Sequence, residues 1–441
     1  MIKDVPLAGH GTSIRRVILM TRRFSASLFV GLVVIPAALA TDWMQFRGPG
    51  GQGVSDDKGP PDKWSETENV VWKTKLPGPG SSSPITVGEV VFVTCYSGYA
   101  ESPSDPGDQK NLMRHVVCID RKSGAIRWTK DVKPELPESA YRAGNDGQHG
   151  YASSTPVSDG KNLFVFFGKA GVFCFDLAGK QLWSRSVGKG TTGWGSATSP
   201  LLFNGLLIIN AGVECGALVA LNKSDGSEAW KLAGTAKAWS SPMLVEVPGG
   251  QPEVVLNLAG KSSKIIGVEP ATGKKLWSCD GNNDGYVCSS VVSHDGVIYA
   301  IAGRSGRSVA VKAGGSGDVK EIWTSRNDSR VNSPIYHDGY LYWLNEQRGA
   351  AQCIDAATGK EVYSQRLRGI GRAYASGVYA DGKIYYVTDD ATTFVIAAKP
   401  KYELIATNKL DDTSRTNASP VVDNGRLLIR TDKHLYCVGQ K

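Results

Sequence analysis

The chain has 441 residues, 52 glycines, 41% hydrophobic and 21% charged content, and a formal net charge of +8. This composition excludes a disordered or collagen-like chain and fits a turn-rich all-β globular protein. Residues 1–40 carry five Lys/Arg and one Asp, so without them the charge is +4; so weak a charge, with no basic cluster, argues against nucleic acid as the main partner.

In chain order, Arg15, Arg16, Arg22 and Arg23 precede the apolar run from Leu28 to Leu39, which ends in Ala38-Leu39-Ala40. This predicts a signal peptide over residues 1–40, cleaved after Ala40, and an exported protein, periplasmic or extracellular. Met1 and Met20 are both candidate starts. The run is shorter than the roughly 20 apolar residues of a membrane span, so no span is expected in the mature chain. Residues 41–68 read as an irregular lead-in, with Trp43, Phe46, Arg47-Gly48-Pro49 and Trp64 set among Gly, Pro and Asp. Residues 69–76 read as one strand carrying Trp72, with no strand before it.

From there the sequence repeats. The clearest copy is Cys353-Ile354-Asp355-Ala356-Ala357-Thr358-Gly359-Lys360-Glu361-Val362-Tyr363: a short apolar strand, a tight turn, and a strand ending in an aromatic residue. Asp355 and Thr358 have side chains that bond turn backbone, and Gly359 supplies a positive φ. Related phrases end in Trp128, Trp183, Trp230, Trp277 and Trp323. Each unit opens on a Ser-Pro-like pair, at Ser83, Thr155, Ser199, Ser241, Ser289-Ser290, Ser333, Ser376 and Ser419. After the first unit, the openings fall 42–48 residues apart. Four strands in that length make one propeller blade. The expectation is an all-β, eight-bladed β-propeller of four-stranded blades over residues 69–441. The last unit stops after its third strand, and the strand around Trp72 is expected to complete it, which removes an open sheet edge. The first unit is longer, with insertions at 96–115 and 131–150 that are expected on one face.

The repeated Asp-x-x-Thr-Gly-Lys-x-x-Trp phrase and the eight openings resemble the pyrroloquinoline-quinone (PQQ) repeat family of β-propellers. The resemblance implies that Trp72, Trp128, Trp183, Trp230, Trp277, Trp323 and Tyr363 pack between adjacent blades. The family includes quinone-dependent dehydrogenases and non-catalytic propellers, such as the subunit that assists outer-membrane barrel assembly. The dehydrogenases commonly carry an adjacent Cys-Cys pair, and some a Cys-x-x-Cys-His haem site; this sequence has neither.

The loops entering the first strands converge on the axis and carry Tyr151, Trp194, Trp239, Tyr286, Arg330, Tyr374 and Arg415. Such a ring suits a planar, anionic or peptide ligand. No catalytic residue is assigned. The histidines lack metal-ligand spacing, and Asp280-Gly281-Asn282-Asn283-Asp284-Gly285 begins like a calcium loop but has Val291 where the bidentate Glu belongs. The functional expectation is a monomeric binding or scaffolding module acting through the funnel and the first-unit insertions, with its protein or small-molecule ligand unnamed. The alternative is a PQQ-dependent oxidoreductase, and only that alternative brings in PQQ and calcium. Cys118, Cys174, Cys353 and Cys437 share one repeat position and read as core. Cys279 and Cys288 bracket a loop and are expected to form a disulfide in an oxidising compartment.

Overall fold

A computed structural model describes residues 42–440, apart from 103, 141–148, 236, 237, 261, 262, 284, 286, 302, 304 and 305. The expected signal peptide and Tyr286 lie outside the described residues. The described residues form eight sheets, each built on antiparallel strands adjacent in sequence: blade I (85–132), II (157–185), III (201–233), IV (243–280), V (292–326), VI (335–366), VII (378–409) and VIII (421–438). Blade VIII has three strands from the C-terminal end of the chain, and Val70–Lys75 pairs antiparallel with His434–Val438 as its fourth, with Trp72 opposite Cys437. The result is an eight-bladed β-propeller.

Within a blade the burial pattern follows position. The second strand of blade I, Val90–Ser97, is buried on both faces except at its last residue, because a neighbouring blade covers each face. The fourth strand, Ile126–Val132, lies at the outer rim and is mostly exposed. In all eight blades the pairing of the third and fourth strands shifts register just before the terminal aromatic residue or its equivalent. Such a bulge re-aims one side chain. Here it aims the aromatic ring at the next blade.

The docking geometry is concrete. The indole N–H of Trp72 donates to the carbonyl of Arg121, Trp128 to Leu177, Trp183 to Lys223, Trp230 to Pro270 and Trp323 to Ala356, each in the turn of the following blade, at 2.9–3.2 Å. The turn glycine is then required twice over. Gly359 has φ +69°, and a Cβ there would sit 2.7 Å from the Trp323 ring. Tyr363 replaces the tryptophan once and meets Tyr402 edge-on at 5.7 Å. Trp277 departs from the pattern. It is fully buried in a cluster shared with blade V, but its N–H donates to Glu253 of its own blade at 2.6 Å. The reason is local: blade V lacks the usual turn, and Gly317–Asp318 instead pairs in parallel with Trp277 and Ser278.

The lead-in is part of the core. Trp43 and Trp64 are buried, and the Arg47 side chain enters the axial channel. Its guanidinium donates to the carbonyls of Ser333, Pro334, Gly51 and Gln52. Among the described residues no carboxylate pairs with it, and burial pulls its pKa down to about 9. Cys279 and Cys288 are not bonded to one another, which corrects the expected disulfide. Cys279 belongs to the core between blades IV and V, where burial raises its thiol to about 11. Cys288 lies in the channel wall.

Candidate functional site

Eight first strands point their opening residues at the axis, and these residues form a chain of hydrogen bonds. The N–H of Ser83 donates to the hydroxyl of Thr155, Thr155 to Ser199, Ser199 to Ser241, Ser241 to Ser290, Ser290 to Ser333, Ser333 to Ser376, and Ser376 to Ser419. All seven bonds are 2.9–3.1 Å. They explain why the repeat opens on Ser or Thr: the hydroxyl caps an edge N–H that the sheet leaves pointing at the neighbouring blade. Ser290, not Ser289, is the member from blade V. The circuit is open between blades VIII and I, where the Ser83 hydroxyl is buried without a partner among the described residues.

Six members of this circuit, Ser83, Ser241, Ser290, Ser333, Ser376 and Ser419, line the floor of a funnel of about 260 Å³. Above them stand Trp194, Trp239, Arg330 and Tyr374, four of the expected ligand residues, and Phe46 of the lead-in lies at the base. The rim loops hold one another. The Trp239 indole donates to the Gly195 carbonyl at 2.8 Å, and His149 bonds the Ser153 hydroxyl at 2.6 Å and the Trp194 carbonyl. Burial lowers the His149 pKa, so the ring is neutral near pH 7.

Two expected residues fall elsewhere. Tyr151 packs on Tyr96 and Tyr99 and donates to the Ser139 carbonyl, so it joins the two insertions of blade I rather than facing the ligand space. Those insertions do meet on one face, held by a buried Arg114–Glu138 ion pair at 2.7 Å. Arg415 stands behind the wall, where its carbonyl accepts the Asp432 N–H and its charge acts on Asp432 and Asp389. His149, Cys288 and Asn417 also line the funnel and were not expected. The repeat alignment places Cys288 two residues before Ser290, a position that could have been read as wall-facing.

Among the described residues no carboxylate lines the funnel, and Arg330 is the guanidinium in its wall. Behind it the Arg330 N–H donates to Glu346 at 2.5 Å, and burial raises that carboxyl to about 7. Glu214, bonded by the Ser196 hydroxyl, is likewise raised to about 7, and Asp432 to about 6, both chiefly by burial. Near pH 7 Asp432 is therefore largely ionised, while Glu346 and Glu214 are about half protonated.

A family model described as outer membrane protein assembly factor BamB matches residues 113–365. The chain belongs to this PQQ-repeat family. Among solved structures, BamB from Moraxella catarrhalis is similar at TM-score 0.59 and 13% identity, over 84% of this chain and 97% of that one. The quinohemoprotein alcohol dehydrogenase of Comamonas testosteroni is similar at TM-score 0.65 and 13% identity, over 91% and 81%. A europium-containing methanol dehydrogenase gives 0.63 and 13%, over 90% and 89%. At these identities the likeness is one of fold. No curated protein matches the sequence significantly.

Because PQQ-repeat proteins include quinone enzymes, the funnel walls bear on the cofactor question. Calcium takes about 6–8 oxygen ligands, carboxylates prominent among them. Among the described residues the funnel wall offers hydroxyls and Asn417 but no carboxylate, and no three His, Cys, Asp or Glu cluster as metal ligands. Arg330 is the one guanidinium among them, facing a quinone that carries three carboxylates. The described residues do not fit that pair of groups.

Proposed function

We propose that this protein is an exported binding module of the PQQ-repeat family, which takes an anionic or aromatic group of a partner into the central funnel, on the face that carries the blade I insertions. The observation that carries this reading is the funnel itself: Trp194, Trp239 and Tyr374 around Arg330, over a floor of hydroxyls, with no carboxylate in the wall among the described residues. Aromatic faces and a guanidinium are the residue types that dominate protein recognition. The description of the family as an outer membrane protein assembly factor supports a protein partner in the cell envelope. The Arg-rich, apolar leader supports export, and no helix among the described residues is long and apolar enough to cross a membrane.

The test separates binding from redox chemistry. Purified protein is titrated with PQQ and calcium, then assayed for dye reduction with alcohols and sugars. The reading expects neither stoichiometric quinone binding nor turnover. Saturable quinone binding with turnover would overturn it in favour of a dehydrogenase.

A further inference from the structure

At the channel end opposite the insertions, the lead-in behaves as an added strand. Three residues after each opening position, the backbone N–H and C=O face the axis, since an antiparallel residue presents both groups to the same side. The N–H of Thr86 in blade I donates to the Trp43 carbonyl at 3.0 Å, and Ser158 in blade II to the Met44 carbonyl at 2.9 Å. In blade V, Ser293 donates to the Gln52 side-chain oxygen at 3.2 Å. In blade VII, Tyr379 donates to the Gly53 carbonyl at 2.8 Å, and Val54–Ser55 continues as a parallel strand beside it. The lead-in thus satisfies four of the eight inner edges, three through backbone carbonyls and one through the Gln52 side chain.

The equivalent residues of blades III and IV are Leu202 and Leu244. They pair with Leu207 and Val254 at the register where Thr86 pairs with Val91. Their side chains pack against the cores between blades. Among the described residues, neither N–H has a hydrogen-bond partner. Both residues line a cavity of about 510 Å³, bounded by Gln45 and Gln52 of the lead-in, with Glu246 and Asp295 at its mouth. Both carboxylate residues are exposed. Phe46 lies between this cavity and the funnel, bordering both.

We propose that this cavity is a docking slot for an extended segment of a partner protein carrying a basic side chain. The segment adds to the inner edges of blades III and IV as Val54–Ser55 adds to blade VII. Backbone bonds to Leu202 and Leu244 supply affinity, and alternate side chains supply specificity. The pairing at blade VII shows that an inner edge of this propeller accepts extended backbone. The exposed Glu246 and Asp295 favour a lysine or arginine at the mouth, the cations of the described lining being Arg47, bonded to carbonyls, and His294, 3.4 Å from Asp295. The volume falls within the roughly 300–1,000 Å³ of built ligand sites.

The probe is an amide-capped hexapeptide of alternating valine and lysine. Its controls are a version with glutamate for lysine and a version methylated on its backbone nitrogens. Hydrogen exchange is read residue by residue. In protein alone, the Leu202 and Leu244 amides exchange faster than those of Thr86, Ser158 and Tyr379. The valine-lysine peptide is expected to slow both by about tenfold or more, while each control binds about tenfold more weakly, the loss of one or two hydrogen bonds or an ion pair. Leu244→Pro removes one slot N–H without breaking a ladder bond, as an edge position allows, and is expected to weaken binding about tenfold at an unchanged melting midpoint. Glu246→Lys, which leaves the backbone alone, is expected to weaken the lysine peptide and favour the glutamate one. The proposal is overturned if the peptide does not bind, or binds without slowing those two amides. Equal binding of the methylated version would also overturn it. So would concentration-dependent protection of both amides without peptide, which would make the occupant a second copy of the chain.

Discussion

The two ends of the axial channel are built from the same eight strands, yet they are finished differently. At the insertion end, entry segments of all eight blades converge on an open funnel whose wall side chains, Arg330 and Trp194 among them, are half-buried. At the other end, the lead-in plugs part of the channel beside the cavity at blades III and IV: Arg47 is 2% exposed and bonded only to carbonyls. The difference teaches that burial and charge need not track function. The most desolvated cation of the channel belongs to the plug, where it holds blade VI to the lead-in, while the half-exposed Arg330 remains available to a ligand.

The comparison breaks most completely if the lead-in is removed. Deleting residues 42–76 takes away the plug and the fourth strand of blade VIII, leaving His434–Val438 as an open edge. Such an edge is a template for aggregation. Loss of the cooperative thermal transition, with association seen by light scattering, is expected; a monomer with the full-length melting temperature would contradict it.

A narrower cut is Arg47→Ala. It strands the carbonyls of Ser333 and Pro334 and empties the space of a large side chain, so a loss of about 3–5 kcal/mol in denaturant unfolding is expected. Next comes Trp323→Ala, which removes an inter-blade indole and its bond to Ala356, at about 3 kcal/mol. Both losses act on the frame and should be seen with or without ligand.

The insertion end also has a pH signature. Glu346 and Glu214 have folded pKa values near 7, above their unfolded values. A raised carboxyl contributes stability that is fully present below the unfolded pKa and is lost as pH rises through the folded one. Thermal stability should therefore fall between about pH 5 and about pH 8, and Glu346→Gln should flatten part of that fall. An unchanged profile in the variant would place the cause elsewhere.

The smallest expected effect on stability is that of Arg330→Ala, below about 0.5 kcal/mol, because the side chain is half-exposed on a loop. Its effect should appear in ligand binding alone. Arg47→Ala and Arg330→Ala thus form a pair that separates frame from site.

The blades were legible because their signals are local. An Asp, a turn glycine and an aromatic residue within ten positions specify a hairpin wherever they occur, and six copies with eight Ser-Pro-like openings specify a ring. The site was half legible. Trp194, Trp239, Arg330 and Tyr374 could be placed because each sits two to five residues before an opening serine. Tyr151 lies four residues before Thr155, but the insertions of blade I supply Tyr96 and Tyr99 to pack against it. Arg47 could not be read at all, since its partners Ser333 and Pro334 lie 286 and 287 residues away. The hydroxyl circuit was in plain view as a repeated Ser or Thr, but its role depends on contacts between blades. Cys279 and Cys288 show the opposite failure: closeness in sequence implied a bond, while one residue turned into the core and the other toward the channel.

The central claim is that recognition happens at the open end of the channel. Site-specific photo-crosslinking tests it most directly, with the photoreactive residue placed in turn at Trp239 in the funnel and at Leu182 on the outer rim, in cells exporting the protein. The account predicts a discrete covalent adduct from position 239, lost on Arg330→Ala, and none from position 182. Equal adducts from both positions, or an adduct from 182 alone, would contradict it and move recognition to the outer faces of the blades.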